Sequence, residues 1–166
     1  MNKTEIIQQL NLSNHIEGGY FQETYRGLET MMTDREGEQR NLLTSIFYLL
    51  TDDSPIDYLH KNKSDIVHYF HGGSPITYLI IHPDGRLEKE KLGSNLLKGE
   101  KFQLIVKGGC WKAAILEEGE YGLLGEAVAP GFDYRDMQVA DESLLTQFPH
   151  LNDEIKDYIQ SKITPS

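Results

Sequence analysis

Residues 60–73 read HKNKSDIVHYFHGG, and this stretch decides the fold. Residues 66–71 combine β-branched, aromatic and polar side chains, which is typical of a short strand. Gly72-Gly73 then ends the strand before a second apolar run over residues 76–82. Because Pro83-Asp84-Gly85 is a strong hairpin turn, the chain reverses there. The stretch therefore predicts short antiparallel strands that carry histidines.

The rest of the chain repeats this pattern, with helices expected at the two ends only. Residues 3–12 have apolar residues at helical spacing and Thr4 as a candidate N-cap. The tail over 141–163 predicts two helices divided by Pro149. Residues 29–41 predict an exposed hairpin tip or loop. Further strands are predicted at 20–26, 42–50, 56–60, 86–92, 102–107, 110–117 and 121–128.

These elements predict one mainly β domain over residues 1–166. Short strands separated by turns are typical of an antiparallel sandwich or barrel. We expect the barrel to span about residues 18–138, between one short N-terminal helix and the C-terminal helices.

The composition argues against several classes of partner. Sixteen basic and 26 acidic residues give a formal net charge of −10. Such a surface repels phosphate backbones and anionic lipids, so we expect neither nucleic acid nor a membrane as partner. The sequence shows no signal peptide and no apolar run of about 18 residues. The single cysteine, Cys110, suits a reducing compartment, so we expect a cytoplasmic protein.

Five segments, in one order and with plausible spacing, resemble a known family. The first is residues 60–73, and the others read HIEGGYFQETYR (15–26), TSIFYLL (44–50), GGCWKA (108–113) and EAVAPGFDY (126–134). Together they resemble the cupin-5 (DUF985) branch of the cupin superfamily. The resemblance implies a double-stranded β-helix, which is an antiparallel jelly-roll barrel with an internal pocket. It also implies a homodimer, because an N-terminal arm often crosses to a partner subunit in cupins of this type.

The metal-ligand positions of the two cupin motifs are mostly lost in this chain. His60 keeps the first histidine of the first motif, whereas Asn62 and Ile66 replace its second histidine and its glutamate. In the second motif, Lys112 replaces the histidine. An isoleucine offers no lone pair to a metal, and a lysine repels a cation. We therefore expect no cofactor.

Strand parity predicts which side chains face the interior. The glutamate of the first motif points inward in metal-binding cupins, so Ile66, His68 and Phe70 should point inward, and His71 outward. We expect an organic ligand among a few polar groups and apolar walls, as is usual for small-molecule pockets. The expected lining residues are Glu17, Tyr20, Phe47, His60, His68, Phe70, Gln103, Lys112 and Glu126.

Alternative roles remain open for some of these residues. A weak or adventitious divalent metal would be held by His60 and His68, with Glu17 or Gln103 in support. Lys112 and Glu126 can equally form a buried ion pair, and His68 can be a core histidine. Residues 130–134 can either line the pocket or plug the end of the barrel.

Two functions from different classes remain open, with a third behind them. The first is a binding module that holds a sugar-like or other polar metabolite without turnover. The second is a metal-independent isomerase or epimerase of a sugar-like or keto substrate, because the site resembles that of cupin sugar-nucleotide epimerases. There His60 would be the base, Lys112 the stabiliser of an enolate, and Tyr134 or Tyr20 the acid. A metal-dependent cupin enzyme is third, because its ligands are depleted.

Overall fold

The computed structural model describes residues 1–160 and consists mainly of short strands. The strands are β1 (Ser13–Asn14), β2 (Tyr20–Arg26), β3 (Thr30–Met32), β4 (Gln39–Asn41), β5 (Thr44–Thr51), β6 (Ile56–Asn62), β7 (Asp65–Gly73), β8 (Ile76–Ile81), β9 (Leu87–Leu92), β10 (Gln103–Val106), β11 (Trp111–Ile115), β12 (Tyr121–Ala129) and β13 (Met137–Val139). The α-helices are α1 (Lys3–Gln9), α2 (Ser143–Gln147) and α3 (Asn152–Ile155). Single 3₁₀ turns lie at Leu96–Lys98, Tyr134–Asp136, Pro149–Leu151 and Lys156–Tyr158.

Two large antiparallel sheets face each other. The six-stranded sheet has the order β1-β2-β5-β12-β7-β10, and the five-stranded sheet has the order β13-β6-β11-β8-β9. β3 and β4 form a separate hairpin within the segment expected to be a hairpin tip or loop. Within residues 1–160 no strand ladder joins the two large sheets, so the jelly roll is an open sandwich in its hydrogen bonding. The predicted mainly β fold with short terminal helices is confirmed.

Three apolar clusters hold the layers together. One fills part of the space between the sheets, and burial of its side chains is the main stabilising contribution there. Its largest members include Leu50, Tyr78, Ile80, Leu92 and Leu124. A second cluster packs α2 and α3 against the five-stranded sheet, and a third packs α1 against the six-stranded sheet. Helices therefore cover the outer faces, and the interior between the sheets is left for a core and a cavity.

The helix ends differ from the prediction in detail. The N-cap of α1 is Asn2 and not Thr4, because Asn2 and Glu5 form a reciprocal capping box. The C-terminal helical segment is divided at Pro149, as predicted. The last part of the predicted second helix, residues 161–163, lies outside the described residues. Within the described part of the chain, no helix is both long and apolar enough to span a membrane.

Candidate functional site

A cavity of about 290 Å³ lies between the two sheets. Its walls come from β2, β5, β6, β7 and β12 and from the segment that leads into β13. The apolar part of the wall consists of Phe21, Ile46, Ile66, Val128, Phe132 and Met137. The remaining wall is polar, and much of it is charged. Such a mixture is typical of a small-molecule site rather than of a protein core.

The backbone before β2 places Glu17 inside this cavity. The Tyr58 amide of β6 donates a hydrogen bond to the Glu17 carbonyl oxygen at 2.9 Å. Gly18 has a φ of +101°, and a Cβ atom there would lie 2.0 Å from the Ile56 carbonyl oxygen. Only glycine allows this close approach to β6. As a result the side chain of Glu17 is buried, with 1% of its surface exposed.

A β-bulge in β6 brings Asp57 and His60 to the same face. β6 pairs with β11 so that His60 lies opposite Lys112 and Asp57 lies opposite Ala114. Two residues of β6 therefore oppose one residue of β11. In a regular strand, side chains three positions apart point to opposite faces, whereas both of these line the cavity. Asp57 was not among the predicted site residues, because no residue pattern in the sequence indicates this bulge.

Glu17, Asp57 and His60 form a buried cluster in the cavity wall. Each contributes a potential ligand atom that lies within 4.8 Å of the other two. The His60 Nδ1–H donates to the Tyr58 carbonyl oxygen at 2.7 Å, which leaves a lone pair on Nε2. Glu17 Oε2 lies 2.6 Å from His15 Nδ1. By contrast, Glu17 Oε1 and Asp57 Oδ1 are buried and receive no hydrogen bond from any residue between 1 and 160.

Burial and neighbouring charges set the protonation of this cluster. Burial raises the pKa of Asp57 well above its usual range; Lys112 opposes this shift and the Glu17 charge adds to it. Burial lowers the pKa of His60, and the Lys112 charge lowers it further, so the imidazole is neutral near pH 7. Burial alone would raise the pKa of Glu17, but the hydrogen bond with His15 lowers it below the usual value.

A second buried polar group lies beside the cavity, and its members contact one another, although His68 Nε2 has no hydrogen-bond partner among residues 1–160. Lys112 Nζ lies 3.5 Å from Glu126 Oε1, so the buried ion pair considered in the sequence is present. His68 Nδ1 lies 3.3 Å from the same Glu126 oxygen and 3.1 Å from the Tyr78 hydroxyl. Burial opposes ionisation of Glu126, but Lys112 and then His68 lower its pKa well below the usual range. Burial and the Lys112 charge lower the pKa of His68 to about 4.

The exposed part of the cavity wall is formed by Arg26, Glu23 and Tyr134. Arg26 makes two hydrogen bonds of 2.8 Å to the Glu23 carboxylate and one of 3.2 Å to the Phe132 carbonyl oxygen. A second β-bulge, between Glu23 and Tyr25, places Glu23 and Arg26 on one side of β2. Tyr134 is 60% exposed. This part of the wall is the mouth of the cavity.

The structure brings only some of the predicted site residues to the cavity. Glu17, His60 and Glu126 line it, and so does Tyr134. His68 and Lys112 are buried and do not line the cavity, but both contact Glu126, which does. The cavity lining therefore contains fewer predicted residues than the sequence suggested.

Four predicted residues lie outside the cavity wall. Phe70 packs against the apolar core between the sheets. Tyr20 and Phe47 lie on the outer face of the six-stranded sheet, in the cluster around α1. Gln103 is exposed, because Leu104 is the β10 residue that lies opposite the inward-facing His68.

The metal positions of the cupin motifs do not fit a divalent cation in this chain. Ile66 has no donor atom, and the ammonium of Lys112 is paired with Glu126. Within the described residues, the geometry groups His60 with Glu17 and Asp57 rather than with His68. A cation centred on the motif positions is therefore not supported.

Comparisons with known proteins identify relatives over most of the chain. A family model described as "Cupin superfamily (DUF985)" matches residues 4–140. An uncharacterised protein from Saccharomyces cerevisiae is 40% identical over 145 residues, which is 80% of this chain and 72% of the yeast protein.

Two solved structures match nearly the whole chain. A hypothetical protein from Leishmania major is 28% identical with a TM-score of 0.91, over 97% of this chain and 100% of that one. A protein from Shewanella oneidensis is 29% identical with a TM-score of 0.89, over 98% of this chain and 99% of that one. The descriptions of these relatives name no ligand and no reaction.

Proposed function

Because the chain belongs to the DUF985 family of the cupin superfamily, we propose that its cavity binds a small, sugar-like or otherwise polar metabolite. The observation that carries the proposal is a pair of buried oxygens, Glu17 Oε1 and Asp57 Oδ1, that accept no hydrogen bond from residues 1–160. A buried polar group without a partner costs free energy, and a ligand that donates hydrogen bonds removes this cost. The volume of about 290 Å³ is near the lower limit of ligand pockets, about 300 Å³, and suits a ligand of monosaccharide size.

The charges around the cavity favour an uncharged, polyhydroxylated ligand. Hydroxyl groups can donate to the free oxygens of Glu17 and Asp57, while the apolar wall contacts carbon atoms. Arg26 is paired with Glu23 at the mouth, and Lys112 is paired with Glu126 behind the wall. These cations are already neutralised, so the arrangement does not favour the phosphates of a sugar nucleotide.

Ligand-observed NMR tests the proposal. Chelator-treated protein is screened against monosaccharides, polyols, sugar acids and keto acids by saturation-transfer difference. We expect at least one of these compounds to bind the wild type and to lose binding in Ile46→Trp, because the indole fills part of the cavity. Ile105→Trp is the matched control, since Ile105 is 60% exposed on β10 and lies away from the cavity. Binding that is unchanged in Ile46→Trp, or no binding to the wild type, would overturn the proposal.

One observation favours catalysis as a second candidate function. The hydrogen bond from His60 Nδ1 to the Tyr58 carbonyl leaves a basic Nε2 on a neutral imidazole, and Tyr134 lines the same cavity. This arrangement supports an isomerase or epimerase with His60 as base and Tyr134 as acid. The pairing of Lys112 with Glu126 does not favour the enolate-stabilising role.

Hydrogen exchange tests this second function. With a bound keto compound or sugar, an enzyme of this kind should incorporate solvent deuterium next to the carbonyl. His60→Gln should abolish the exchange while the compound still binds. Exchange at the wild-type rate in His60→Gln would show that His60 is not the base.

The oligomeric state and the cellular compartment of the protein stay predictions. The expected homodimer would use an N-terminal arm, and in the structure β1 pairs with β2 at one edge of the six-stranded sheet. Sedimentation equilibrium of the full chain measures the dimer directly. Fractionation of cells that express the protein tests the expected cytoplasmic location.

A further inference from the structure

We propose that Glu17, Asp57 and His60 form a divalent-cation site that the cupin motifs do not specify. One imidazole and two carboxylates are a donor set that Zn²⁺ and Mn²⁺ accept. Of the three residues, only His60 occupies a motif position. Glu17 comes from the segment before β2, and Asp57 from the bulge in β6. The inference goes beyond the proposed function, which assigns no cation to these residues.

The free donor atoms are the first argument for a cation. The side chains of Glu17 and Asp57 are 1% and 4% exposed. Glu17 Oε1 and Asp57 Oδ1 nevertheless have no hydrogen-bond donor among residues 1–160, although both side chains line the cavity. One oxygen of each carboxyl group lies within 4.8 Å of the other and of a ring nitrogen of His60. Two carboxylates this close repel each other when both are ionised, unless a positive charge lies between them.

The contacts behind the cluster are the second argument. The Tyr58 carbonyl oxygen accepts a hydrogen bond from His60 Nδ1 at 2.7 Å, and His15 Nδ1 contacts Glu17 Oε2 at 2.6 Å. Residues that surround metal ligands commonly hold one side of an imidazole or carboxylate in this way and leave the other side for the metal. Here Nε2 of His60 and Oε1 of Glu17 remain for a metal, while the third donor, Asp57 Oδ1, lies 3.5 Å from His60 Nδ1.

The local charges are the third argument. Lys112 lies opposite His60 across the β6–β11 pair and would repel a cation. Its ammonium, however, lies 3.5 Å from Glu126 Oε1, so a buried carboxylate offsets its charge. Glu17 and Asp57 then offer carboxylate oxygens to a dication. Because only three protein donors are involved, coordination positions remain for oxygen atoms in the cavity.

Isothermal titration of the full chain tests this inference. Protein without a histidine tag is treated with chelator, dialysed, and titrated with Zn²⁺ alone and with Mn²⁺ alone. We expect one equivalent of at least one of these metals per chain. Glu17→Gln and His60→Asn should each weaken binding at least about tenfold, as loss of a donor does. Glu90→Gln should bind as the wild type does, because Glu90 lies on β9 and does not line the cavity.

Further measurements distinguish a variant that fails to fold from one that loses the metal, and metal binding from metabolite binding. Thermal melts identify any variant that fails to fold, and Asp57→Asn serves as an isosteric second variant. No binding of either metal at millimolar concentration, or equal weakening in Glu17→Gln and Glu90→Gln, would overturn the cation site. The metabolite screen uses chelated protein, so a metabolite that binds without metal supports the proposed function even if the titration fails. If a metal binds but no metabolite does, the cation site is supported and the proposed function fails.

Discussion

Two buried ionic clusters of this protein differ in how their oxygens are satisfied. In the first, Arg40 donates to both carboxylate oxygens of Asp136, at 2.9 and 2.8 Å, and Arg35 adds a third hydrogen bond at 3.1 Å. In the second, the cluster of Glu17, Asp57 and His60, two carboxylate oxygens have no donor in the described part of the chain. Buried polar groups in folded proteins are normally paired. This difference is consistent with a stabilising role for the first cluster and with the ligand site that we propose at the second.

The largest expected effect comes from breaking the paired cluster. Asp136→Asn leaves Arg40 buried without its counter-charge, so we expect the free energy of unfolding to fall by about 3–5 kcal/mol. Urea denaturation measures this change. Glu90→Gln is the control, because the Glu90–Lys101 pair is more exposed and should contribute at most about 1 kcal/mol. Equal losses in the two variants would show that the Asp136 cluster has no special stabilising role.

The same cluster makes a prediction about pH. The hydrogen bond from Arg40 lowers the pKa of Asp136 below its ordinary value of 3.8. A lowered pKa in the folded state gives stability that is complete above the ordinary value and is lost as the pH falls through the folded value. The difference between wild type and Asp136→Asn should therefore be constant near neutral pH and shrink below pH 3.8. Denaturation curves at a series of pH values check this, and a difference that stays constant into acid would refute it.

Gly18→Ala tests whether the backbone at Gly18 positions the cluster of Glu17, Asp57 and His60. A Cβ at Gly18 would meet the Ile56 carbonyl oxygen, and the positive φ adds strain, so we expect a loss of about 1–3 kcal/mol in unfolding free energy. Since the glycine positions Glu17, Zn²⁺ binding should weaken as well. Gly27→Ala is the control, because its nearest contact would be an ordinary 3.4 Å. Denaturation and titration that give the same results for both variants would contradict the role of Gly18.

Asp57→Asn is expected to have the smallest effect on stability, and one of opposite sign. Burial raises the pKa of Asp57 well above its usual range, which shows that the fold disfavours this carboxylate. Replacing it should therefore raise the free energy of unfolding of chelated protein by up to about 1 kcal/mol. The same aspartate-to-asparagine change at position 136 should lower it. Urea denaturation of the two variants side by side measures both signs. Destabilisation by Asp57→Asn would mean that this carboxylate supports the fold.

The fold could be predicted from sequence because its signals are local. Turns such as Pro83-Asp84-Gly85 and Gly72-Gly73 separate short apolar runs, and strands were found where these runs occur. β13 was missed, because Met137–Val139 is only three residues long, which is too short for a strand pattern to stand out. It forms by pairing with β6, which is a long-range contact.

The site could be predicted only where strand parity holds. Ile66 and His68 lie on the inward face, as parity requires. Two bulges break the parity elsewhere: one turns Asp57 to the face of His60, and the other turns Arg26 to the face of Glu23. A bulge depends on how two strands pair, and the sequence of one strand does not reveal it.

The most direct test of the account is the unfolding free energy of chelated wild type and Asp57→Asn, each measured with and without Zn²⁺. Without metal, we predict that the variant is the more stable protein. At a Zn²⁺ concentration of about 100 times the dissociation constant, the wild type should gain about 2.7 kcal/mol, and the variant less, so that the order reverses. A variant that is less stable without metal, together with an equal effect of Zn²⁺ on both proteins, would contradict the assignment of this cluster to a ligand.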